Sequence, residues 1–226
     1  MKKLILVAND APSSGVSLLS NLFGGLLRQR AITPYAIIHT GSDEPQEDET
    51  LHLDFGYGFD FAELSGILED NAVTVIDVAS GYANEIASFI THANFLDLLD
   101  DLEVNLGVVS PVGAREATFA SLMGLGETLN NHADYLVVHN QALSSADSSE
   151  WEGSHAQRAM SFLDTIEMQL PHLDPETIRS GSLQCLEEWE KTIALDPLAN
   201  WLHAEQESSP YAPDTRPMRP ARRRAA

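Results

Sequence analysis

Residues 4–23, LILVANDAPSSGVSLLSNLF, decide how the rest of the chain is read. The opening LILVA is an unbroken apolar run, the mark of a short strand buried on both faces. The polar turn NDAPSSG follows it, and Val16, Leu19, Leu22, Phe23, Leu26 and Leu27 then recur at helical spacing, predicting a helix over 16–30. Phosphates are commonly held where a strand runs through a Gly/Ser turn into a helix. The first amides of the helix point at the ligand there, and the helix dipole favours negative charge. A working P-loop reads G-x-x-x-x-G-K-[ST], with its lysine on the phosphates and its hydroxyl on Mg²⁺. Here Gly15-Val16-Ser17 stands in that place, and no Lys or Arg occurs between Lys3 and Arg28. Pro12 removes one backbone donor, and the Asp10 carboxylate would repel a bound phosphate. Taken alone, the segment reads more readily as a turn and a capped helix, with Ser13 or Ser14 as N-cap and Asp10 as turn former.

Working outward, short apolar runs alternate with amphipathic stretches, as in βαβ units on a parallel sheet. Strands are expected over 35–39, 73–78, 104–109 and 135–139, with edge strands within the acidic stretch 41–59 and over 166–170. Helices are expected over 62–68, 82–99, 115–130, 154–163, 181–193 and 196–207. The fold class is therefore α/β, a doubly wound, mostly parallel sheet. The organisation expected is an α/β domain over 1–175, a helical extension packed on it over 176–207, and a disordered Arg/Pro-rich tail over 208–226. Gly24-Gly25 inside the first helix predicts close packing against the sheet. Trp151, Trp189 and Trp201, in the last third, read first as residues that pack helices onto the core, and second as a partner-binding face.

Composition narrows function. Of 226 residues 43% are hydrophobic, enough for a core, while 13 Lys+Arg against 34 Asp+Glu leave a net charge of -21. Arg216, Arg219, Arg222, Arg223 and Arg224 lie in the last eleven residues, which hold no acid, so the tail carries +5 and the remaining 215 residues -26. Such an acidic body repels nucleic-acid phosphates, and sequence-independent nucleic-acid contact is left to the tail. The lone Cys185 excludes an internal disulfide, and the eight histidines form no metal-binding pattern. No apolar run is long enough to span a membrane, and the N-terminal run is too short for a secretory signal, so a cytoplasmic protein is expected.

Several landmarks together resemble the ParA/MinD-type deviant-Walker P-loop ATPases, a resemblance that implies a sheet of P-loop NTPase type. Asn9 matches the Asn that follows their first strand, Gly15 the last loop glycine and Ser17 the hydroxyl residue. Ala11 and Val16 stand at their two lysines. VTVIDVASG, with Asp77, resembles their Walker B strand. DYLVVHNQA places Asn140 where that group has the Asn facing adenine, and IEMQLPHL resembles their closing strand and Pro. The last two segments are most similar to plasmid StbB/TraL-like and MobD-like stability and mobilisation proteins. The acid that the group places after its second strand is replaced by His39-Thr40.

The resemblance implies that a bound nucleotide would lie over Ser13, Ser14, Gly15, Val16 and Ser17, with its base at Asn140 and its Mg²⁺ near Ser17 and Asp77. With both lysines gone, phosphoryl transfer loses the positive charge on which it depends. The expectation is a pseudo-ATPase, at most a weak binder of ATP and Mg²⁺, with no catalytic residue. It would act through a basic or DNA-binding protein partner, or as a homodimer, in plasmid maintenance, partition or mobilisation. The alternatives are an active ATPase whose phosphate charge is met by other residues, and a DNA-associated accessory protein that binds through its basic tail.

Overall fold

The computed structural model describes residues 2–40, 50–52, 61–92, 94–113, 116–141 and 150–203. Among these, seven strands form one sheet: β1 (Lys2–Val7), β2 (Tyr35–His39), β3 (Thr50–His52), β4 (Val73–Asp77), β5 (Val104–Val112), β6 (Asp134–Asn140) and β7 (Ile166–Leu170). Their order is β3-β2-β4-β1-β5-β6-β7, and every neighbouring pair is parallel. Parallel neighbours need a crossover, and helices lie between β1 and β2, β3 and β4, β4 and β5, β5 and β6, and β6 and β7. On one face lie α2 (Phe61–Asp70), α3 (Ala83–His92), α4 (Phe95–Asp101), α5 (Glu116–Leu129) and α6 (His155–Met160). The other carries α1 (Val16–Gln29), α7 (Pro175–Ser180), α8 (Ser182–Glu190) and α9 (Asp196–His203).

The apolar runs explain the two layers. Successive side chains of a strand point to opposite faces, so Leu4 and Leu6 enter the core under α3 and α5 while Ile5 and Val7 enter the core under α1. The doubly wound α/β sheet is thus the observed fold. Gly24 lies so close to β2 that an added Cβ would sit 2.4 Å from Ile37 Cδ1. Gly25 faces α8 instead, where a Cβ would meet Leu186 Cδ1 at 2.9 Å. The buried Trp189 ring pins α8 further, its indole N–H donating to the Gln169 carbonyl at 2.8 Å.

Some boundaries differ from the sequence reading. The expected helix over 82–99 is two helices, because Asn94 turns left-handed at φ 56° and re-aims the chain. That turn sends Phe95 into the core beside Phe89, with ring centroids 5.7 Å apart. The strand expected to end at 109 continues to Val112. Beyond Val109 it has lost β1 as a ladder partner, so Pro111 breaks no bond on that side. The helix expected over 154–163 ends at Met160 and tightens into a 3-10 turn, Ser161–Leu163. A helix not expected at all, α7, is started by Asp174, which accepts from the Glu176 and Thr177 amides, with Pro175 in the first turn. No described helix is long and apolar enough to cross a membrane. The expected tail, 208–226, lies outside the described residues.

Candidate functional site

The carboxyl ends of β1, β4 and β5 meet where ligands bind in open α/β sheets, and the turn after β1 occupies that place. Asn9, 1% exposed, fixes its start. Its side-chain amide donates to Ser110 Oγ, the Pro111 carbonyl and the Thr118 carbonyl, each at 3.0 Å. Its Oδ1 accepts from the Ala11 amide at 3.0 Å, closing a local turn.

Asp10 reaches across to the other layer. Its Oδ1 accepts from the Gly81 and Ala83 amides at 3.0 and 2.9 Å, and its Oδ2 from Asn84 Nδ2 at 3.3 Å. The Asp10 carbonyl accepts from Ser80 Oγ at 2.6 Å, and its own amide donates to Ser121 Oγ at 2.8 Å. Those amides open α3, whose first turn leaves N–H groups without partners inside the helix. Asp10 is therefore a cap supplied from a distant loop rather than a former of its own turn.

Neither Ser13 nor Ser14 caps α1. Gly15 takes that position at φ 100°, with no side-chain cap bond, and a left-handed backbone there suits glycine. Ser13 is itself left-handed at φ 57°. Ser13 and Ser17 are exposed, whereas Val16 is 8% and Ala11 4% exposed, both packed as apolar core. The two positions where the resemblance expects lysine are thus filled by buried aliphatic groups.

Asn140, at the end of β6, does reach the turn. Its Nδ2 donates to the Ser14 carbonyl at 2.8 Å, so its amide holds the loop backbone. Asp77, at the end of β4, is 4% exposed, and its Oδ2 lies 2.6 Å from His39 Nδ1. Thr40 Oγ1 donates to the Asp77 carbonyl at 3.2 Å and accepts from the Ala79 amide at 2.9 Å. Ser17 stands on the exposed first turn of α1. No group of three or more His, Cys, Asp or Glu among the described residues could hold a metal ion.

His39 is the residue that sequence reasoning undervalued. In the parallel register it lies directly beside Asp77. A strand-end acid next to a titratable residue on the neighbouring strand was the available signal, but using it required knowing that β2 and β4 are adjacent.

A second concave region lies at the β7 edge, a cavity of 540 Å³ walled by Trp151, Trp201, Met168 and Ile193, with Glu152 and Glu167 among its polar groups. Glu167 Oε2 accepts from the Trp151 indole at 2.9 Å and lies 2.9 Å from His139 Nε2. The Trp151 ring packs edge-on against His139 at 5.6 Å and tilted against Phe119 at 5.4 Å. Near the start of the central strand β1, Lys3 is 2% exposed. Its Nζ lies 3.6 Å over the Trp201 ring and donates to the Trp201 carbonyl at 2.7 Å, with Asp134 at 3.7 Å. Burial pulls its pKa from 10.5 down to about 8, against the opposing pull of Asp134.

No protein-family model matches the chain, and no curated protein matches it. Among solved structures, a nucleotide-binding protein from Archaeoglobus fulgidus, in complex with ADP, is similar at 14% identity and a TM-score of 0.46, covering 83% of this chain and 88% of that one.

Proposed function

We propose that the chain is a pseudo-ATPase of the ParA/MinD type, in which the nucleotide cradle has become a structural joint. On this reading it works in the cytoplasm through a basic or DNA-binding protein partner, in plasmid maintenance, partition or mobilisation. One observation carries the proposal. The polar side chains at the strand ends are engaged inside the protein: Asn9 with β5 and α5, Asp10 with the start of α3, Asn140 with the loop backbone, and Asp77 with His39.

The electrostatics run the same way. A lysine ammonium about 4 Å from a phosphate is worth roughly 4 kcal/mol at an effective dielectric near 20, about a thousandfold in affinity. Both lysine positions are apolar here, at Ala11 and Val16. Screening over about 8 Å leaves the near charges to decide, and the near charges named above are the Asp10 and Asp77 carboxylates. The amides of Ser13 to Ser17 remain as a weak cradle for ATP and Mg²⁺.

Titration with a fluorescent ATP analogue in Mg²⁺, together with a phosphate-release assay, tests the reading. The expected result is a dissociation constant in the millimolar range and phosphate release equal to that of buffer. Micromolar binding with turnover overturns it.

A further inference from the structure

The cavity at the β7 edge plays no part in the proposed loop chemistry. Its walls are apolar and aromatic, Trp151 with Trp201, Met168 and Ile193, and it holds two carboxylates, Glu152 and Glu167. Glu167 is held in place by the Trp151 indole and stays 39% exposed, while Glu152 is exposed. A pre-oriented carboxylate beside aromatic rings suits a flat, weakly hydrated cation, which among side chains means the arginine guanidinium.

The chain itself carries such groups beyond α9. Trp201 belongs to α9, α9 ends at His203, and the sequence that continues from it holds Arg216, Arg219, Arg222, Arg223 and Arg224 without an acid after Asp214. Twelve residues lie between His203 and Arg216, and each spans up to about 3.3–3.6 Å. Reach is therefore ample. Tethering over a short segment supplies an effective concentration of roughly millimolar, so a contact too weak to form between separate molecules is well populated within one. The opposite charges of tail and body favour the same contact.

We propose that the arginine segment 216–226 docks within its own chain into this cavity, with a guanidinium beside Glu152 and Glu167 against the aromatic wall.

The test uses the full chain, ¹⁵N-labelled, with the Trp201 indole signal assigned by Trp201→Phe. Exchanging all five tail arginines for serine is expected to shift that signal by more than its linewidth. Glu152→Gln is expected to shift the wild-type signal in the same direction, as is about 0.5 M NaCl, where screening is nearly complete beyond a few ångströms. Dilution is expected to leave the signal in place. An unchanged indole position in the arginine-to-serine chain overturns the proposal. So does a shift that depends on protein concentration, which would mean the tail of a second copy.

Discussion

Lys3 shows most directly what a single side chain costs and returns. Burial lowers its pKa from 10.5 to about 8, so between those values the unfolded chain binds the extra proton and stability rises with pH. The gain is on the order of 3 kcal/mol, absent below pH 8 and complete above 10.5. Lys3→Met keeps the packing and removes the charge. In urea unfolding the variant is expected to be at least as stable as the wild type at pH 7, and to lose that advantage by pH 10. A wild type more stable by over about 1 kcal/mol at pH 7 would mean that the ring contact and the Trp201 carbonyl outweigh desolvation. Asp10 belongs to the same scale. Its carboxylate takes the Ala83 amide that begins α3 and the Gly81 amide just before it, so Asp10→Ala should cost about 1–2 kcal/mol and Asp10→Asn, a good cap itself, much less. Equal thermal midpoints for all three chains would refute the capping role.

Helices and strands are where the sequence speaks most clearly, and the glycines test how far. In α1, Gly24→Ala drives a methyl to within 2.4 Å of the buried Ile37 Cδ1, an overpacking of about 1–3 kcal/mol that is expected to outweigh the helix-propensity gain of about 0.5–1 kcal/mol. In α2, nothing lies within 4 Å of a Cβ at Gly66, so Gly66→Ala should stabilise by about 0.5–1 kcal/mol through helix propensity. Denaturation midpoints of the two variants should therefore move in opposite directions. Strands β1, β2, β4, β5 and β6 were legible because each is built on a compact apolar run, and the edge character of β7 because Pro171 follows it. The break between α3 and α4 was not, since apolar spacing continues through a left-handed Asn94. Helix α7 was hidden because six residues carry no periodicity, although its Asp-Pro start is written in the sequence. At the site, Asn9, Asp77 and Asn140 could be picked out as polar residues ending strands. Their partners could not. Asp10 bonds a helix start some seventy residues away, and His39 meets Asp77 only because the strand order sets β2 beside β4.

For the molecule as a whole, a net charge of -21 is the dominant fact. Self-repulsion opposes compaction, and salt that shortens the screening length from about 30 Å to 8 Å weakens it. Raising NaCl from about 10 to 150 mM should therefore raise Tm by about 2–4 °C, the size of a 1 kcal/mol change for a domain of this length. A flat or falling Tm would mean that the acids are locally compensated. The sheet adds a constraint in time rather than in energy. Lys3, at the foot of the central first strand, finds its carbonyl and its aromatic lid at Trp201. A chain emerging from a ribosome thus carries that ammonium uncovered until nearly two hundred further residues have been made, and a strand made well before α9 is finished only after it.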